Sequence, residues 1–233
     1  MNRTTTLAAA TANDRPLRPH DLLWVADASM ISATEPLPDW ATREWLMRVP
    51  AVIRRENADR RGIPIGLRGT TRSERFRAYL VPEAVRQRVS PEELAASRVW
   101  RDQTGFDGIA ALAALAKLAP LLDAIGLAWG PTGSVGFALA SGLPVLRRDS
   151  DLDLVLRAPG PPTIEQREML AMLSAQVACR LDVQIDTGRG AFAFAEWIAG
   201  HQRVLLKTDS GPVLTDVPWS SDTPARAAAQ LTR

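Results

Sequence analysis

Residues Trp129–Leu156 read WGPTGSVGFALASGLPVLRRDSDLDLVL. A short apolar lead (Leu127, Ala128, Trp129) turns through Gly130, Pro131 and Gly133, and Ser134 stands at the start of an expected helix. After the basic loop at Arg147 and Arg148 comes Asp149-Ser150-Asp151, then the alternation Asp151-Leu152-Asp153-Leu154-Val155-Leu156. Successive side chains on a strand point to opposite faces, so Asp151 and Asp153 share one face and Leu152, Leu154 and Leu156 the other. Residues two apart are separated by roughly 6.6 Å. Carboxylates rooted at that spacing can converge on metal ions about 3.5–4 Å apart, as two-metal phosphoryl transfer requires. The Gly133-Ser134 turn offers backbone N–H groups at a helix start, which suit a phosphate. Paired aspartates are often plain turn residues and Gly-Ser is common, but the two on adjacent expected strands form a rarer combination.

Downstream, Ala158-Pro-Gly-Pro-Pro162 reads as a rigid linker, and Thr163 with Gln166 as a capping box for a helix to about Cys179. Arg180–Asp186 alternates as a strand, with Asp182, Gln184 and Asp186 on one face and Leu181, Val183 and Ile185 on the other. Strand–helix–strand connections favour placing it beside the Asp151–Leu156 strand, which would bring a third carboxylate to the pair. Gly188-Arg-Gly190 is a turn, Ala191–Gly200 an expected apolar helix, and Arg203–Thr208 and Gly211–Leu214 expected strands. Lys207, Arg203 and Arg147 are candidate phosphate contacts, each weighed against an ordinary surface charge.

Upstream, Leu22–Val25 is an apolar run, a helix is expected over Thr42–Arg48, and Ala51–Ile53 reads as a strand. Ile63-Pro-Ile-Gly-Leu-Arg-Gly69 is a strand whose glycines imply a close backbone approach. There Arg68 meets a phosphate or is a solvated strand end. The run Arg72, Arg75, Arg77 fits a solvated helix face. Ser90-Pro-Glu-Glu93 is a helix start with a serine cap and proline at the first position. A longer helix is expected over Phe106–Leu122, stopping near Gly126.

The 233 residues suffice for one large or two small domains. A net charge of +2 supplies no general polyanion-binding surface, so no nucleic-acid partner is expected. One cysteine and two histidines, Cys179, His20 and His201, exclude an intrachain disulfide and a zinc site of the usual kind. Cys179 is expected as a packed core thiol. A bound metal would be a hard cation on carboxylates, which points to Mg2+. With no apolar run of membrane-spanning length and no signal-peptide pattern, the expectation is a cytoplasmic protein without a membrane partner.

Gly133-Ser134 followed by Ser150-Asp-Leu-Asp153 resembles the signature of polymerase-β-type nucleotidyltransferases. With Trp129–Ser134, Leu139–Pro144 and Ser150–Leu154, the string is more narrowly similar to phosphoribosyl-dephospho-CoA transferase, the holo-acyl-carrier-protein synthase of malonate decarboxylase. His20–Trp24, Ile63–Gly69, Leu181–Gln184, Ala191–Trp197, Leu205–Thr208 and Pro218-Trp219 extend the resemblance over about residues 18–219. It departs at Asp186, where the family pattern has a glutamate, and so Asp182 ranks ahead of Asp186 as third ligand.

The expected fold is α+β: a small N-terminal α/β domain (18–103), divided at the loop Asp102–Gly105 from a mixed-sheet domain (104–220) that the resemblance makes nucleotidyltransferase-like, with a Thr/Ala/Asn-rich start (1–17) read as disordered and a loose tail (221–233). The resemblance implies transfer of the prosthetic group from triphosphoribosyl-dephospho-CoA to a serine of the acyl carrier protein subunit of malonate decarboxylase, with loss of pyrophosphate. Asp151 and Asp153 are then the catalytic carboxylates, holding Mg2+ with Asp182 or Asp186. Gly133, Ser134, Lys207 and Arg68 would bind the donor's phosphates. The alternatives are a nucleotidyltransferase using an ordinary nucleoside triphosphate, and a catalytically silent carrier- or nucleotide-binding module.

Overall fold

The computed structural model describes residues 15–57, 61–101, 108–200 and 202–220. The expected α+β class holds: helices and strands take comparable shares, about 33% and 29%, and the strands form two six-stranded sheets. The described chain divides into two compact units, 15–54 with 61–89, and 55–57 with 90–220. The boundary expected at 103/104 lies outside the described residues, as do residues 1–14, His201 and the tail from 221 onward. Residues 15–17 of the expected disordered start are described, and there the Arg15 carbonyl accepts from Arg88 Nη1 at 2.7 Å.

The first unit is built from β1 (Leu22–Val25), β2 (Ile31–Ser32), α1 (Arg43–Arg48), β3 (Ala51–Ile53), β4 (Ile63–Arg68), β5 (Arg75–Leu80) and β6 (Val85–Val89). The sheet order is β2-β5-β4-β3-β1-β6, antiparallel at every pairing. Leu23, Ile65 and Leu80, all fully buried, centre its core. Thr42 caps α1 by accepting from the Trp45 N–H. The run Arg75, Arg77 is not a helix face: it lies on β5, where Arg75 and Arg77 alternate with the half-buried Phe76 opposite β4. Within the His20–Trp24 stretch, Asp21 is buried in an ion pair with Arg88 Nε at 2.8 Å.

The second unit carries α2 (Pro91–Ser97), α3 (Ala110–Ile125), β7 (Ala128–Pro131), α4 (Gly133–Ser141), β8 (Leu152–Arg157), α5 (Ile164–Leu173), β9 (Leu181–Asp186), β10 (Gly190–Ala193), α6 (Phe194–Ile198), β11 (Val204–Thr208) and β12 (Gly211–Thr215). Its sheet order is β12-β11-β10-β9-β8-β7. Only β8 and β9 are parallel, joined through α5 as expected. The capping boxes at Ser90 and Thr163 both form, and Gly126 ends α3 with φ +76°. Leu152, Leu154 and Leu156 are fully buried on one face of β8, a strand against which α3 and α4 both pack. On the same face Phe192, Trp197 and Trp219 meet edge to face, and the Trp219 indole donates to the Ala158 carbonyl at 2.9 Å.

Two expected helices are shorter. α5 stops at Leu173, and after one 3-10 turn Cys179 lies half-buried in a loop, not in a helix. Burial pushes its thiol pKa up, and the neighbouring Asp151 adds to the rise, so it is no reactive thiolate. The apolar Ala191–Gly200 segment begins as β10, because Ala191–Ala193 pairs as a strand between β9 and β11; only Phe194–Ile198 is helical.

Candidate functional site

β7 ends at Pro131, paired with Leu154 of β8. The Thr132 N–H then donates to the Asp153 carbonyl at 2.8 Å, so the turn into α4 is tied to the strand at the carboxylate residue itself. Gly133 follows with φ +57°, a left-handed conformation that favours glycine. A Cβ there would stand 1.9 Å from Asp153 Oδ2, so only glycine lets the carboxylate rest against the helix start. Thr132 makes no side-chain cap, and Ser134 is half-buried in the first turn of α4. Gly130 has a packing role: a Cβ would lie 2.0 Å from the Pro91 carbonyl oxygen, which seats β7 against the start of α2.

β8 is buried at every position except Asp153, which is half-exposed. The parallel register sets Asp153 beside Asp182 of β9. Asp151 is half-buried and immediately precedes β8, after a turn in which Arg147 and Ser150 bond to each other's backbone. A cavity of about 290 Å³ opens on this end of the sheet. Asp153, Asp182, Gln184, Arg180 and Lys207 are among its polar lining, and α5 and α6 contribute apolar wall.

The carboxylates differ in their engagement. Asp182 pairs with Arg180 Nη2 at 3.1 Å, an exposed contact. Among the described residues no group of three or more His, Cys, Asp or Glu side chains stands ready to hold a metal. The oxygen-only donors Asp151, Asp153 and Asp182 suit a hard cation, and the cradle at Gly133 holds one of them in place. Asp186 is elsewhere: four residues along β9, about 13 Å away, and 5% exposed. It lies 3.0 Å from Arg55 Nη2 and 2.5 Å from Arg157 Nη1. Arg157 Nε in turn reaches Glu92 at 2.8 Å. Burial works to raise the Asp186 pKa, but Arg55, the Gly188 N–H and Arg157 together hold it below the usual carboxylate range.

Of the expected phosphate contacts, Gly133 lies against Asp153 with Ser134 next to it at the start of α4, and Lys207 lines the cavity, whose lining includes neither Gly133 nor Ser134. Arg68 belongs to the first unit: it is buried at the end of β4, its carbonyl accepting from the Trp45 indole at 2.8 Å, and it is not among the cavity's lining. Gln184 was placed on the Asp182 face by the strand alternation but given no role, and Arg180 was not singled out. The available signal for both was their place two residues either side of Asp182, which puts them on its face of the strand.

Comparisons with known proteins agree with this division of the chain. Residues 98–218 match the family model described as phosphoribosyl-dephospho-CoA transferase MdcG C-terminal domain, and residues 18–91 match the corresponding N-terminal domain. A phosphoribosyl-dephospho-CoA transferase of Pseudomonas putida (strain GB-1) is 42% identical over 205 residues, 88% of this chain and 96% of that one. Those of Azotobacter vinelandii and Klebsiella pneumoniae (strain 342) are 42% and 41% identical, covering 87% of this chain and 94% and 96% of theirs. No solved structure gives a significant match. Two domain models end to end and relatives matched over nearly their whole length leave one assignment: the chain belongs to the phosphoribosyl-dephospho-CoA transferase family and is a transferase.

Proposed function

We propose that the chain transfers phosphoribosyl-dephospho-CoA from its triphosphate donor to a serine of the acyl carrier protein subunit of malonate decarboxylase. The observation that carries this reading is the seating of Asp153 against Gly133 at the start of α4, with Asp182 alongside on β9. A carboxylate pair on one cavity, with one of its members resting against a helix start, matches what phosphoryl transfer asks of a protein, namely positioning and charge stabilisation. The carrier's serine oxygen forms a bond to the α-phosphorus. The bond from that phosphorus to the bridging oxygen breaks, pyrophosphate leaves with the electron pair, and the hydroxyl proton is released. The Gly133 and Ser134 N–H groups and Lys207 bind and orient the leaving phosphates. Asp151, Asp153 and Asp182 would hold Mg2+, which when bound neutralises charge developing on the phosphates. No helix of the described residues is long and apolar enough to cross a membrane. A cytoplasmic enzyme is part of the proposal.

The test is carrier labelling with triphosphoribosyl-dephospho-CoA and with ATP at equal concentration, scored with pyrophosphate release. The dephospho-CoA donor is expected to label one serine per carrier with equimolar pyrophosphate, and ATP to be at least about a hundredfold slower. Equal labelling by ATP replaces this reading with that of a general nucleotidyltransferase.

A further inference from the structure

Gln184 lines the cavity but has no part in the transfer step above. The strand register sets it between Val155 of β8 and Ala193 of β10, two side chains that cannot hydrogen-bond. Its half-buried amide accordingly makes no hydrogen bond within the described residues. Asp182 and Asp186, on either side along the same face, are each paired with an arginine. The amide thus offers a donor and an acceptor side by side. Ala193 runs straight into α6, which packs against β9, so apolar surface begins next to the amide. Leu170 and Ala171 of α5 and Ala195 and Ile198 of α6 supply that wall, and Ile198 is 43% exposed.

We propose that this neutral part of the cavity is the subsite for the donor's adenine, and that Gln184 reads the base at its N6 amino group and N7. The proposal rests on the proposed function for the donor's identity and accounts for a portion of it that the phosphate contacts do not hold. The lining selects the chemical class. A further phosphate would meet apolar wall and the carboxylates of Asp153 and Asp182. A pure hydrocarbon would strip water from the Gln184 amide and leave it unpaired, which is costly. A purine has an apolar face for the wall and an edge where N6 donates and N7 accepts, and a glutamine amide meets that edge with two hydrogen bonds. Size agrees: at about 290 Å³ the cavity stands at the foot of the range for small-molecule sites. It has room for a base with its sugar and not for the whole donor. Covalent order then decides between the donor's parts. From the reacting phosphorus the donor runs through one ribose to adenosine, and only afterwards through a diphosphate to the pantetheine arm. A cavity that shares Asp153 with the phosphate end meets the nucleoside first. ATP is one ribose shorter, so with its triphosphate in place its base falls short of Gln184.

The experiment is calorimetry on the full chain with dephospho-CoA, with its hypoxanthine analogue and with pantetheine 4′-phosphate. Hypoxanthine keeps N7 but carries a carbonyl oxygen where adenine has the amino group, so one of the two hydrogen bonds is lost. The wild type is expected to bind dephospho-CoA about tenfold more tightly than the analogue, and Gln184→Leu to bind the two alike. Ala193→Leu, which fills the cavity from the neighbouring strand, should weaken dephospho-CoA about tenfold while inorganic pyrophosphate binding stays within about twofold. In carrier labelling, Gln184→Leu should raise KM for the adenine donor about tenfold with kcat nearly unchanged. Equal binding of the two bases by the wild type, or no binding of either, overturns the proposal, and so does a base preference that survives in Gln184→Leu. Binding of pantetheine 4′-phosphate that Ala193→Leu abolishes would give the cavity to the arm and overturn it as well. A wild type that shows the base preference yet labels no carrier keeps the subsite and strikes the proposed function instead.

Discussion

β9 carries the same residue at two points on one face and uses it in opposite ways. Asp182, at the strand's start, is half-exposed, lines a cavity and keeps one loose partner. Asp186, at its end, is buried between Arg55 and Arg157, with Glu92 completing the row. Desolvation separates the two roles. A buried carboxylate is tolerated only when fully paired, and once paired it has no capacity left for a ligand. An open one costs little to leave half-satisfied and remains available. Sequence alternation treats both positions alike, whereas burial tells them apart.

The sharpest way to break the contrast is to remove the charge at the open end. Asp153→Asn is expected to lower carrier labelling by roughly a thousandfold while leaving the thermal melting midpoint within about 2 °C of wild type, since it removes charge from a cradle and leaves the core intact. Near-normal turnover by a folded Asp153→Asn would end its assignment as a catalytic carboxylate. At the closed end the effects exchange. Asp186→Asn should cost about 3–5 kcal/mol in denaturant unfolding, because Arg157 and Arg55 stay buried without their shared anion. Turnover per folded molecule should stay within about threefold of wild type.

The pH dependence sharpens the same point. The folded-state pKa of Asp186 lies below its unfolded value, so its contribution is fully present above the unfolded value, near 4, and is lost as pH falls through the folded one. The stability gap between wild type and Asp186→Asn should therefore be widest at neutral pH and close in acid. A gap that is flat down to about pH 2 would show that the Arg pairs do not depend on that charge. The smallest effect is expected at Ser134→Ala, a loss in kcat/KM of about three- to tenfold, because the helix-start N–H groups remain. A loss equal to that of Asp153→Asn would give Ser134 a larger part than phosphate binding.

Much of this contrast's scaffold was readable beforehand. The caps at Thr42, Ser90 and Thr163, the stop at Gly126 and the seating of β9 beside β8 all follow from local rules that the structure obeys. The strand at Gly190–Ala193 was not readable from alternation, because Ala191, Phe192 and Ala193 are all apolar. The role of Asp186 was not readable, because its decisive partner Arg55 lies 131 residues earlier in the chain. No local pattern announces a pairing at that range. The tie between Gly133 and Asp153 was half-legible: the motif names both residues, but the clash that makes glycine obligatory exists only once β7 and β8 are paired.

The placement of Arg55 has a consequence in time. A ribosome delivers Arg55, with Asn57 that bonds to Asp209 and Ser210, long before the strands these residues complete. Chains fold as they emerge, the N-terminal portion first. Arg55 must therefore stay unclaimed while well over a hundred further residues are synthesised, and its ion pair with Asp186 closes late. Contacts of such long sequence separation form slowly. A fragment beginning at residue 98, where the second family model starts, never receives Arg55 or Glu92 at all.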